Sequence, residues 1–188
     1  MIKTLIVYGT RYGATASTLE DIAEALRQEG FDVKTINAKK DMVKNIAEYE
    51  LIIVGSGIQM GSWTKEASQF LKKFRKELRK KKVALFVCCG RARPLNEEDG
   101  KPEAVEKVRK KYLEEKAAKY NLQPVVLGFF GGVYNFNEVS WLFRKFMESV
   151  KPQLEAAGYS EKKPGLYDTR DLNVIRSWAK ELAQKVQA

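Results

Sequence analysis

The chain has 188 residues, 44% of them hydrophobic and 31% charged, enough apolar material for one well-buried domain and too much for a disordered chain. Its formal net charge is +10, with two cysteines and no histidine. The missing histidine excludes Ser-His-Asp triads, imidazole metal ligands and the commonest general base, so chemistry must come from a cofactor or from carboxylates, lysines and tyrosines.

In chain order, Leu5, Ile6 and Val7 form an apolar run expected as a strand buried on both faces. Gly9, Thr10, Gly13 and Thr15 follow as a turn of small and hydroxyl-bearing residues. A helix is then predicted with Leu19, Ile22, Ala23 and Leu26 on one face, stopped by Gly30. Phe31 to Ile36 alternates like a short edge strand, and Asp41 to Glu50 is a polar connection anchored by Ile46 and Tyr49. Leu51 to Gly55 is a second apolar strand, Ser56 to Trp63 a loop, and Thr64 an expected N-cap with Glu66 in the first turn. That helix carries Ala67, Phe70, Leu71, Phe74 and Leu78.

Val83 to Val87 is the next buried strand, ending in Cys88, Cys89 and Gly90. Adjacent cysteines have Cα atoms about 3.8 Å apart, short of the roughly 4.4 Å at which disulfides begin. Two thiols make no zinc site, so no metal is expected and the pair is expected to pack as small hydrophobes. After an irregular stretch from Arg91 to Lys101, Pro102 opens a long charged helix expected to reach Tyr120. Pro124 to Phe130 is the fifth strand, followed by Gly131-Gly132. Glu138 to Val150 is expected as an added helix with Val139, Leu142, Phe143, Phe146, Met147 and Val150 on one stripe packed on the domain itself; Trp141 lies on the opposite, polar face, suited to lipid headgroups or a partner. A connector with Pro152, Gly158, Pro164 and Gly165 leads to Asp171, the expected N-cap of a last helix carrying Leu172, Ile175, Ala179, Leu182 and Val186.

A strand feeding a small-residue turn and then a helix start makes an anion site, because unpaired backbone N–H groups converge there and the helix dipole favours negative charge. The turn is neither Gly-x-x-x-x-Gly-Lys-Ser/Thr nor Gly-x-Gly-x-x-Gly, which disfavours a nucleoside triphosphate and a dinucleotide. Thr10-Arg11-Tyr12-Gly13-Ala14-Thr15, with hydroxyls bracketing a glycine, suits a single terminal phosphate; an ordinary tight turn is the alternative. This run resembles the flavodoxin phosphate loop, and its Thr-Arg-x-Gly-x-Thr form is similar to that of the flavodoxin-type, menaquinone-dependent protoporphyrinogen oxidases. The resemblance continues through Gly-Ser-Gly-Ile-Gln-Met-Gly at 55–61 and the element after the fifth strand.

The expected fold is therefore α/β: one flavodoxin-like domain over residues 1–188, a doubly wound five-stranded parallel sheet of order 2-1-3-4-5, with an extra helix after strand 5. In that fold the loops after strands 1, 3 and 4 converge, and the resemblance implies FMN as cofactor. Its expected contacts are Thr10 to Thr15, then Ser56, Gly57, Ile58, Gln59, Met60, Gly61 and Trp63, then Cys89, Gly90 and Arg91. Backbone and apolar side chains of the second loop would cover the ring, although Trp63 serves equally well as a staple between helix and sheet. Arg91 would offer a cation to the pyrimidine end and raise the two-electron potential.

Ordinary flavodoxins are acidic near the flavin, whereas this chain carries Arg11, Arg91 and Arg93 at or beside the expected site. In the oxidase family such residues would meet substrate propionates or anionic lipid; against a close match, that family's aromatic and histidine positions in the second loop are Met60, Ser62 and Thr64 here. The expected function is electron transfer through bound flavin. Two alternatives stay open: dehydrogenation of protoporphyrinogen IX with electrons passed to a quinone, and a flavin-free basic interaction domain. Expected partners are a redox protein or a small-molecule or quinone substrate, with peripheral contact to an anionic membrane as a further reading of the charge. Nucleic acid is disfavoured, since no recognition motif accompanies the basic blocks at Lys72 to Lys82 and Lys107 to Lys111. With no apolar run of the roughly 18 residues a span needs, and Met1 leading straight into the first strand, the expected location is the cytoplasm.

Overall fold

The computed structural model describes residues 1–10, 14–137 and 148–188, with the side chains of Ala14 and Gln59 outside that description. Five strands make the parallel sheet: β1 (Lys3–Gly9), β2 (Asp32–Asn37), β3 (Leu51–Gln59), β5 (Lys82–Cys88) and β6 (Leu127–Phe130), in spatial order β2-β1-β3-β5-β6. Counted as the five parallel strands, this is the expected 2-1-3-4-5 order. The strands expected to be apolar throughout divide their side chains between the two faces. Leu5, Val7, Ile52, Val54, Leu85 and Val87 enter one core, and Ile6, Leu51, Ile53, Ala84 and Phe86 enter the other. Helices cover both, as a parallel sheet buried on two sides requires.

On the second face lie α1 (Ala14–Gln28) and α7 (Leu172–Gln187), with Leu19, Ile22, Leu26, Ile175, Ala179 and Leu182 turned inward. Asp171 caps α7 as expected, its Oδ1 accepting from the backbone N–H of Asn173 at 3.0 Å and of Val174 at 3.3 Å. Leu172 departs from the expected stripe and is exposed, while Trp178 takes a core place beside Phe86 and Phe130. On the first face lie α2 (Lys65–Lys73), the short α3 (Arg75–Leu78) and the long helix opened by Pro102. That helix consists of α4 (Pro102–Arg109), a wider π turn (Lys110–Glu114) and α5 (Glu115–Lys119). The expected single helix from Ala67 to Leu78 is interrupted at Phe74, whose backbone leaves the helical region.

Two other expectations need correction. Ser56 to Trp63 is not a loop: β3 continues to Gln59 and β4 (Ser62–Trp63) pairs back on it, Ile58 opposite Trp63 and Gln59 opposite Ser62. The reversal at Met60-Gly61 uses positive φ at both residues (47° and 71°), the geometry of a tight two-residue hairpin turn. The segment after β6 is no plain connector either. β7 (Val133–Asn135), β8 (Glu161–Lys163) and β9 (Leu166–Asp168) form an antiparallel ribbon of order β7-β9-β8, with α6 (Lys151–Ala156) between β7 and β8. Pro164 and Gly165 supply the turn between β8 and β9 rather than a linker. The ribbon is hung on β6 by Thr169, whose N–H and hydroxyl both donate to the Gly132 carbonyl at 3.0 Å. Most of the added helix expected at Glu138 to Val150, Trp141 included, lies outside the described residues.

Candidate functional site

The carboxyl ends of β1, β3 and β5 bring three segments together, the place where open α/β sheets bind ligands. The first is the turn between β1 and α1. Thr10 stands at its start and Thr15 in the first turn of α1; Arg11, Tyr12 and Gly13 lie outside the described residues. Thr15 is buried, and its hydroxyl, which faces the Cys88 thiol, makes no hydrogen bond of normal geometry among the described residues. A Cβ placed on Gly57 would stand 3.2 Å from Thr15 Oγ1, so the glycine of the second segment is what lets β3 pass close to this hydroxyl.

The second segment is the β3–β4 hairpin. Ser56 is buried and accepts from the Thr64 backbone N–H at 2.9 Å, with its hydroxyl 3.2 Å from Thr64 Oγ1. The Thr64 side chain therefore locks the hairpin base instead of capping α2, which the spacing alone had suggested. Ile58 packs against the core, whereas Met60 at the tip is exposed. Trp63 is buried and donates its indole N–H to the Tyr112 carbonyl at 2.7 Å, so its ring staples the hairpin to the π turn. Over that ring, 5.0 Å from its centre, stands the ammonium of Lys116, which donates to Ser68 Oγ at 2.8 Å. Burial, aided by Lys119, lowers the Lys116 pKa to about 8.

The third segment, Cys89-Gly90-Arg91, enters a short 3-10 turn (Gly90–Ala92). Burial raises the Cys88 thiol to about 11 and raises Cys89 too, so both stay protonated and pack as apolar groups, as expected. Cys88 Sγ donates to Thr18 Oγ1 at 3.4 Å, tying β5 to α1. Sequence reasoning missed two tyrosines here. Tyr112 presents its hydroxyl toward Gly61, and Tyr134 of β7 closes over Gly90 so tightly that a Cβ there would lie 2.0 Å from its hydroxyl oxygen. Burial pushes the Tyr134 phenol up to about 12, leaving it a neutral O–H. The signal for Tyr112 was faint, one aromatic in a charged helix; for Tyr134 there was none, because its position depends on the ribbon.

The arginines differ from expectation. Arg91 pairs with Asp99 through a short contact between exposed groups, and Arg93 pairs with Asp171 at 3.1 Å. These two cations each have a carboxylate beside them, and Arg11 lies outside the described residues. Half of the basic block from Lys72 to Lys82 is also engaged. Lys73 donates to the Val43 carbonyl at 2.7 Å, Lys81 to those of Ala47 and Tyr49, Lys82 to that of Val186, and Arg79 to that of Tyr120 at 3.1 Å. A cleft of about 450 Å³ beside α1, lined by Tyr8, Ser17, Glu20, Glu24, Arg27 and Thr35, contains none of the expected flavin contacts. Among the described residues no helix is long and apolar enough to cross a membrane.

A family model described as Flavodoxin domain matches residues 5–160. The chain belongs to the flavodoxin family. Among solved structures this flavodoxin domain is similar to a flavodoxin from the domain Archaea, with a TM-score of 0.57, 16% identity and all of both chains covered. Two-electron reduced flavodoxin from Megasphaera elsdenii gives 0.54 at 17% identity over 96% of this chain and 98% of that one. The flavodiiron core of a Synechocystis protein gives 0.59 at 13% identity, and there the match spans 99% of this chain but 36% of the larger one. These likenesses establish the fold. Flavodoxins generally bind FMN, and the Thr15 hydroxyl at the head of α1, buried and without a hydrogen bond of normal geometry among the described residues, with Gly57 making room beside it, fits a terminal phosphate.

Proposed function

We propose that this chain binds FMN and works as an electron-transfer protein through the bound flavin. The observation that carries the reading is Thr15, whose buried hydroxyl makes no hydrogen bond of normal geometry among the described residues: a buried hydroxyl left so costs about 1–3 kcal/mol, and an anion accepting from it removes that cost. Thr10, Gly13 and Thr15 would hold the phosphate, together with the N–H groups at the turn. Ser56 to Gly61 and Cys89 to Arg91 would flank the ring, with backbone groups of the third segment toward its polar edge. Bound FMN supplies the redox chemistry that a histidine-free chain with two buried thiols lacks. Trp63 supports the hairpin through its N–H on the Tyr112 carbonyl, which leaves contact of its ring with the flavin within the same reading. The test is to incubate the purified protein with FMN, remove free flavin and record the spectrum. A yellow protein with quenched flavin fluorescence is expected; a colourless protein that takes up no FMN overturns the reading.

A second reading is a protoporphyrinogen dehydrogenase passing electrons to a quinone. The form of the Thr10–Thr15 loop favours it, as does the ribbon that brings Tyr134 against Gly90 at the edge of the site. Arg91 and Arg93 would have to release Asp99 and Asp171 before meeting substrate carboxylates or anionic lipid. Porphyrinogen oxidation with a menaquinone analogue as acceptor tests it, and no turnover by the FMN-loaded protein rejects it. For the flavin-free basic interaction domain, Lys73, Arg79, Lys81 and Lys82 are committed to backbone carbonyls, which leaves it the other half of that block.

A further inference from the structure

Tyr112 lies in the π turn of the helix opened by Pro102, where the Glu115 N–H bonds to the Lys110 carbonyl five residues back. Turns of this kind are single insertions in α-helices and frequently mark functional sites. Here the insertion has a visible consequence. Tyr112 and Leu113, neighbours in sequence, are both buried, at 8% and 0% exposure. The Tyr112 carbonyl also takes the Trp63 indole N–H at 2.7 Å, so the backbone that carries the phenol is pinned to the β3–β4 hairpin.

The phenol stands between two segments of the candidate site. On one side is the hairpin tip, where a Cβ on Gly61 would lie 3.7 Å from the Tyr112 hydroxyl. On the other is the third segment, close enough for the Cys89 thiol and the Arg91 guanidinium to act on its ionisation. Burial dominates, raises its pKa and keeps the group a neutral O–H. That donor makes no hydrogen bond among the described residues, although the residue is more than nine-tenths buried. Lys111, whose ammonium stands 5.6 Å from its ring centre, offers no acceptor. Tyr134 has its hydroxyl against Gly90, so Tyr112 is the phenol that the hairpin and the third segment share. We propose that Tyr112 is a ring-binding residue of this site: its O–H donates to a carbonyl oxygen of an isoalloxazine held between the Ser56–Gly61 hairpin and Cys89–Arg91. The inference rests on the FMN reading and adds to it a residue from a helix turn, outside the three segments that end the strands. A donor fixed from behind by Trp63 is already ordered before the ring arrives, which lowers the entropic cost of the contact.

The test titrates FMN, and riboflavin, which lacks the phosphate, into the wild type and Tyr112→Phe, a change that keeps the aromatic ring and removes only the hydroxyl. Because the contact is to the ring, Tyr112→Phe is expected to weaken both flavins by about fivefold or more, with the FMN-to-riboflavin ratio held. Infrared spectra of bound FMN, isotope-labelled at its ring carbonyls, are expected to show a carbonyl band at higher wavenumber in the variant. The melting temperature of the apoprotein is expected to stay level or rise, since an unpaired buried hydroxyl has gone. Where riboflavin binds too weakly to titrate, FMN affinity and the carbonyl bands decide. Unchanged FMN affinity with unmoved bands overturns the inference and leaves the FMN reading intact. A variant that fails to fold, or melts lower with the bands unmoved, assigns Tyr112 to support of the hairpin and overturns the inference as well. A wild type that binds neither flavin overturns the FMN reading and the inference with it.

Discussion

Replacing Thr15 by valine separates a binding role from a structural one, because the two states of the site respond with opposite signs. Valine keeps the branched shape and a similar helix propensity but removes the hydroxyl. In the ligand-free protein that hydroxyl is buried and makes no hydrogen bond of normal geometry among the described residues, so its removal relieves an unsatisfied polar group. The expected gain is about 1–2 kcal/mol, a rise in melting temperature of roughly 2–8 °C for a domain of this size. In the FMN complex the same hydroxyl would donate to a phosphate oxygen, a charge-assisted bond of about 1.5–3 kcal/mol. FMN affinity should then fall by roughly 10- to 150-fold. Thermal melts of the apoprotein and FMN titrations of both proteins read the two effects. Stability and affinity falling together, or FMN affinity left unchanged, would refute the assignment of Thr15 to the phosphate.

Three further outcomes follow from the surrounding geometry. Lys116 carries a folded-state pKa of about 8 against 10.5, so the unfolded chain binds more protons between those values and stability should rise with pH across that window. Its partial exposure and its place over Trp63 reduce the effect to about 1 kcal/mol, and Lys116→Met should abolish the rise seen in urea melts from pH 7.5 to 10. Gly90→Ala should cost about 1–3 kcal/mol by driving a Cβ into Tyr134, and in a Tyr134→Ala background the same change should cost less than about 0.5 kcal/mol, a coupling that a double-mutant cycle measures. Because Asp99 sits beside Arg91, Arg91→Ala should lower the two-electron potential of bound FMN and Asp99→Asn should raise it, each by on the order of 10–30 mV, while the double variant should leave it nearly unchanged; spectroelectrochemical titration tells these apart.

The sheet was legible because burial on two faces leaves an unmistakable mark. Leu5-Ile6-Val7, Leu51 to Val54 and Val83 to Val87 have no polar side to hide, and both cores use them in alternation. At the junction after β1, the described Thr15 is buried in the first turn of α1. What escaped was long-range pairing. The hairpin at Met60-Gly61 looked like a glycine-rich loop because its partner strand is two residues long. The ribbon escaped because β8 is exposed throughout and its strands gain their identity only from one another. The tie from Arg170 to Ser17 and Thr18 in α1 escaped for the same reason, its ends lying more than 150 residues apart. The pairing of Arg91 and Arg93 escaped because their charge was visible in sequence while the carboxylates beside them, Asp99 and Asp171, were assigned to a loop and a cap.

The central claim, that FMN is held with its phosphate at the head of α1, is tested most directly by a crystal structure of the protein grown with FMN. Phosphate oxygens within about 3 Å of Thr15 Oγ1, with the ring between the Ser56–Gly61 hairpin and Cys89–Arg91, are the expected result. Flavin lodged elsewhere, for example in the cleft beside α1, or a phosphate turned away from Thr15, would contradict it.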